Sequence, residues 1–263
     1  MSEPSTVSGN LPIHNVRPRT ASITRLILSD FFAYLKRPDY SKVTSLLQDE
    51  NPIKKAWRLF RAGLLLSLLG GSIGYVLMQY VEGSTGVSLR QNHGITGWGL
   101  VLTMFTLIPL VEESVFRLIL RPTPARVWWM MLALGIELSV QIYFYSSEGL
   151  RSLLLAVNWV GLGLAAKLAV AYKSGLKIWW ERNFRWLFYA SSITFGLVHL
   201  INCDQLTIWH WLLAPFITLP QLMAGFFNGY VRMNYGFWYG VAMHAMTNAI
   251  PAAMAAVSLM SHK

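Results

Sequence analysis

The sequence predicts an all-α fold, a polytopic transmembrane helix bundle of about seven spans. Three observations predict it. The 263 residues are 54% hydrophobic and only 13% charged, with a mean hydropathy of +0.42, too apolar for an ordinary soluble domain. The apolar residues gather in runs about 20 residues long, the length of a membrane-crossing helix, whereas the strands of a β-barrel would be short and alternating. Basic residues fall on every second connection between these runs, as the positive-inside rule requires of a chain that crosses repeatedly.

Residues 1–55 are polar, rich in Ser, Thr, Pro and charge, and read as a cytosolic extension without a signal peptide. Within it, Ser22 to Arg37 places Ile23, Leu26, Ile27, Phe31, Tyr34 and Leu35 near one helical face. That face suits the membrane surface and packing against the bundle equally well. Residues 56–260 form the membrane-embedded domain, with apolar segments at roughly 57–81, 98–120, 127–145, 152–172, 186–203, 206–231 and 236–259. Basic residues precede the first segment and recur at Arg121 and Arg126, at Lys173, Lys177, Arg182 and Arg185, and at Arg232. This alternation puts the N-terminus in the cytosol and the C-terminus outside. Trp57, Trp128, Trp129, Trp179, Trp180 and Trp186 stand beside the basic ends and read as interfacial anchors. The formal charge of +10 is spread over the N-terminal segment and alternate loops rather than one face, which argues for topology and against nucleic acid as a partner. The lipid bilayer is the expected surrounding, in a bacterial cytoplasmic membrane rather than a eukaryotic endomembrane.

The second segment carries charges that need a reason. Val111 to Leu120 reads VEESVFRLIL, and each ionisable residue inside a span costs roughly 2.5–3.5 kcal/mol on insertion scales. Glu113 and Arg117, four apart, share a face in the orientation that favours an ion pair. Glu112 points elsewhere, has no cation on its own helix, and needs water, a histidine or a metal from another helix. Glu112 is therefore the reactive candidate. In the fifth segment Phe195, His199, Asn202 and Cys203 make one face polar, and in the last His244 and Asn248 lie four apart. Glu112, His199, His244 and Asn248 together have the chemistry to hold and polarise a water and to stabilise an oxyanion. Glu137, Gln141, Asn158 and Lys167 are rivals with simpler explanations: Lys167 can snorkel, and Glu137 can pair with a basic group or stay protonated. Cys203 reads as packing rather than nucleophile. A serine route has little support, because there is no GxSxG and the EGSTG at Glu82–Gly86 lies in an expected loop.

These motifs, in order, resemble the CAAX protease and bacteriocin-processing (abortive-infection-like) family, which includes the type II CAAX prenyl endopeptidases. Its EExxxR pattern stands here as Glu112, Glu113 and Arg117, its FxxxH as Phe195 and His199, and its HxxxN as His244 and Asn248. The resemblance implies intramembrane proteolysis of a membrane-associated peptide or protein, CAAX-type or bacteriocin-like, by a glutamate-activated water. By that analogy Glu112 is the general base, His199 positions the water, and His244 and Asn248 stabilise the oxyanion. Glu113, Arg117 and Phe195 are structural support. No cofactor is expected; a zinc alternative would use Glu112, His199 and His244. The alternative of another class is a binding, transport or immunity protein that uses the same polar residues structurally. About 80 residues separate Arg117 from His199, longer than the family usually has, with two extra apolar segments between them. An even number of added spans preserves the orientation of the later helices but changes the lateral walls of the site. Glu112 and His199 lie roughly 13 and 21 Å from the basic ends of their helices at about 1.5 Å per residue, so a tilted or broken helix is needed to bring them level.

Overall fold

The computed structural model describes residues 22–41, 43–86, 97–171, 173–202 and 207–261; Cys203 lies outside these. Helices account for the architecture, and there is no strand among the described residues. In chain order they are α1 (Ile23–Lys36), α2 (Pro52–Thr85), α3 (Trp98–Phe105), α4 (Leu107–Arg117), α5 (Pro124–Tyr145), α6 (Glu148–Ala171), α7 (Lys173–Val198), α8 (Ile208–Leu212), α9 (Ala214–Ile217), α10 (Leu219–Asn234) and α11 (Phe237–Ser261). Short 3₁₀ turns follow α4 at Leu118–Leu120 and α7 at His199–Asn202.

Five of these helices, α2, α5, α6, α7 and α11, are long and apolar enough to cross a membrane unbroken. The other two apolar segments, 98–120 and 206–231, are interrupted instead. Prolines account for the interruptions. Pro109, Pro215 and Pro220 lack the N–H that would continue the preceding helix, and each sits in the first turn of the next one, where that N–H is not needed. The EGSTG stretch departs from its expected loop: Glu82 to Thr85 complete the last turn of α2, and Gly86 caps it with φ +68°. A C-terminal glycine of this kind is a helix stop.

α10 is the central element and packs against α2, α7, α11, α1 and α4. Gly225 sets its separation from α7, because a Cβ there would stand 2.7 Å from the Ser192 carbonyl oxygen. α1 joins the bundle. Ser22 caps its first turn, and Ile27, Phe31 and Tyr34, spaced for one face, are buried among Leu59, Phe188, Phe227 and Tyr230. Tyr230 donates to Asp30 at 2.6 Å and Tyr189 to the Leu35 carbonyl at 2.7 Å, which ties α1 to α10 and α7.

α5 and α6 form a peripheral hairpin. Asn158 donates to the Gly135 carbonyl at 3.0 Å and reaches the Ser139 hydroxyl at 3.1 Å, an interhelical role for an amide in an apolar span. Leu153, Val157, Val160, Leu164 and Leu168 cover α6 with exposed apolar surface, which in a membrane faces lipid. Trp57, Trp128, Trp129, Trp179 and Trp186 are likewise exposed, while Trp180 turns inward to donate to the Ile119 carbonyl at 2.7 Å.

Candidate active site

The break between α3 and α4 places irregular backbone beside the polar residues of the bundle. α3 ends at Phe105, Thr106 takes φ −120° and ψ −78°, and Pro109 prevents the hydrogen bond that would join the two pieces. The Met104 carbonyl is left over, and Asn248 of α11 donates to it at 3.0 Å. Non-helical backbone at membrane depth is tolerated where protein or a cavity satisfies it. Both conditions hold here, since Met104 and Asn248 border a cavity of about 450 Å³.

α4 then carries the two glutamates in different directions. Glu112 faces the cavity with 25% of its side chain exposed, while Glu113 is 1% exposed behind it. Glu113 Oε2 lies 3.6 Å from Arg117 Nε, the expected i,i+4 pair. That pair is not self-contained. Glu113 Oε1 also accepts from Asn228 Nδ2 of α10 at 3.0 Å and from His244 Nδ1 of α11 at 3.1 Å. Both of these donors serve Oε1, while Oε2 keeps only its charge contact with Arg117. Gly240, one turn before His244, lets α11 approach: a Cβ there would stand 3.2 Å from Glu113 Oε2.

Arg117 is fully buried, donates from Nη1 to the Ser191 hydroxyl at 3.1 Å, and stacks its guanidinium 4.9 Å from the centre of the Phe195 ring. Ser191 in turn donates to the Phe116 carbonyl, and Arg232 Nε donates to the Arg117 carbonyl at 3.2 Å. α4 is thereby fastened to α7 and α10.

The same aromatic ring holds both histidines. Phe195 meets the His199 ring at 5.0 Å and the His244 ring at 5.6 Å, edge to face in each case. His199 Nδ1 lies 2.8 Å from the Phe195 carbonyl, which only accepts, so Nδ1 carries a hydrogen. His244 sits between the two glutamates, Nδ1 on Glu113 and Nε2 at 3.4 Å from Glu112 Oε2. Among the described residues Glu112 Oε2 has no hydrogen-bond partner.

Glu112, His199, His244 and Asn248 thus border one cavity, as does Phe195, while Glu113 and Arg117 stand behind it. The chain is interrupted at Thr106, before α4, and again by the 3₁₀ turn that begins at His199. Asn228, Ser191 and Gly240 were not anticipated. Asn228 carries a visible signal, an amide within the apolar FFNGY of α10, but its partner is 115 residues away. Of the rivals, Glu137 also borders the cavity and accepts from Gln141 at 3.3 Å, whereas Lys167 is exposed. Among the described residues no three His, Cys, Asp or Glu side chains are grouped to hold a metal ion, and both ring nitrogens of His244 face carboxylates.

Fold and cavity together define an integral, multi-pass membrane protein with ionisable groups gathered inside its helices. Residues 94–250, from just before α3 into α11, match the family model for type II CAAX prenyl endopeptidase, Rce1-like. The chain belongs to that family of CAAX-type intramembrane endopeptidases. No curated protein and no solved structure matches it.

Proposed function

We propose that the chain hydrolyses a peptide bond of a membrane-associated substrate with a water activated by Glu112. The observation that carries this reading is Glu112 itself: a carboxylate on the cavity, a quarter exposed, with one oxygen 3.4 Å from His244 Nε2 and with His199 on the same cavity. Water held between Glu112 and His199 loses a proton to Glu112 as its oxygen attacks the scissile carbonyl. The oxyanion accepts hydrogen bonds from the second amide hydrogen of Asn248 and from His244 Nε2–H. Glu112 then returns the proton to the leaving amine, so one water is consumed and one acid and one amine are formed.

His244 donates two hydrogens in this scheme, one to Glu113 and one to the site. Glu113 is therefore a positioning residue, which fixes the imidazole as the acid of a catalytic triad fixes its histidine. Fixed donors in a water-poor cavity stabilise developing charge more than they would in bulk solvent. The route needs no metal. In the zinc version Glu112, His199 and His244 would be the ligands, and a metal on His244 Nε2 would displace its contact with Glu112. A CAAX-type tail is the favoured substrate from the family, a bacteriocin-like membrane peptide the second, in a bacterial cytoplasmic membrane.

The test is cleavage of a membrane-peptide library by the purified protein and by Glu112→Ala, each with and without a strong chelator, read by mass spectrometry. Products from wild type alone that survive the chelator support this reading and reveal the substrate class. Loss on chelation with recovery on adding zinc replaces the mechanism. Absence of any Glu112-dependent product points to a binding, transport or immunity protein.

A further inference from the structure

The catalytic scheme leaves one carboxyl group on the cavity unused: Glu137 of α5. It stands about 11 residues from Arg126, or roughly 17 Å from the basic end of its helix, between the depths of Glu112 and His199. Gln141, one turn on, donates to its Oε1 at 3.3 Å and steadies the carboxylate. Neutralisation is missing, because no cation lies within ion-pair distance of Glu137 among the described residues.

The hairpin register explains why. Asn158 stands opposite Gly135 and Ser139, so α6 runs antiparallel to α5 and places Lys167 opposite a position about 129, some two turns from Glu137. Arg151, the other cation of α6, donates to the Ser146 carbonyl and lies over the Tyr143 ring at 4.7 Å, at the far end of the hairpin. Within the cavity's own machinery Arg117 faces Glu113 and His244 lies between Glu113 and Glu112. A carboxylate in a span without counter-charge is costly, and a cation brought by the ligand removes that cost.

The geometry points to Glu137 as a specificity-determining residue of the substrate site: it accepts the ammonium or guanidinium of a basic residue close to the scissile bond. This rests on the peptidase reading and deepens it. α5 belongs to the pair of apolar segments that lengthen the chain between Arg117 and His199, so the selecting charge lies on the wall those segments add.

The experiment takes a peptide cleaved in the library and replaces each residue within four of the scissile bond, one at a time, by Lys, norleucine or Glu. kcat/KM is measured with wild type, Glu137→Gln, Glu137→Asp and Glu137→Lys, each checked by its melting temperature in detergent. At one position wild type and Glu137→Asp prefer Lys over norleucine by about tenfold, the low end for a desolvated charge pair. Glu137→Gln erases that preference, and Glu137→Lys turns it towards the Glu peptide. A wild-type preference absent at every position, or one that persists in Glu137→Gln, overturns the assignment. Cleavage without charge preference counts against Glu137 alone, whereas no cleavage of any peptide removes the peptidase reading and this one together.

Discussion

Adjacent residues with opposite tasks define the site at the smallest scale. Glu113 is buried among Arg117, Asn228 and His244, while Glu112 looks into the cavity. Removing one partner of a buried charge pair strands the other at a cost of about 3–5 kcal/mol. Glu113→Ala and Arg117→Ala are therefore expected to lower the melting temperature and the folded yield in detergent before any assay of activity. Asn228→Ala removes a single donor to the same carboxylate and should cost about 1–3 kcal/mol. It should also loosen His244, seen as a fall in kcat larger than any change in KM. The local half of this arrangement was legible in the sequence. Glu113 with Arg117, Phe195 with His199, and His244 with Asn248 each follow from residues four apart on a helix. The contacts Asn228–Glu113 and His244–Glu113 were not, because they join positions 115 and 131 residues apart, and no spacing rule reaches across helices.

Helix interruptions and one docked helix do the positioning at the next scale. The sequence reads 98–120 as one span, and its apolarity is that of a span; it is divided into α3 and α4 just before Pro109, and the Met104 carbonyl, in the last turn of α3, takes the Asn248 amide. The proline was visible, but its effect depended on whether neighbouring groups could satisfy the freed backbone, which is a tertiary question. The placement of α1 was undecidable for a similar reason, since an apolar face serves a lipid surface or a protein core alike. It is a core element here: Phe31 is 0% exposed against Phe227 and Tyr230. Phe31→Ala should destabilise by about 3–5 kcal/mol, measured as a lower melting temperature. Because Phe227 and Tyr230 flank Asn228 on α10, the same substitution should lower activity per folded molecule, whereas Trp186→Ala, on an exposed side chain, should alter neither.

For the whole molecule, the apolar exterior and the polar interior separate cleanly. α6 turns leucines and valines outward, while Glu112, His199, His244, Asn248 and Glu137 border one cavity. The basic connections predict its orientation: cysteines placed at Gly86 and at Lys177, in a background lacking Cys203, should react with an impermeant thiol reagent from opposite sides, Lys177→Cys from the cytosol. The central claim is that the cavity is catalytic through Glu112 while Glu113 serves structure and positioning. Its most direct test is the cleavage rate per folded molecule of Glu112→Gln beside wild type, with melting temperature measured on the same preparations. A fall in kcat of about 10²-fold or more with little change in melting temperature is the predicted result, the scale of losing a general base. Near wild-type turnover by Glu112→Gln, or a loss of activity accounted for by unfolding, would contradict it.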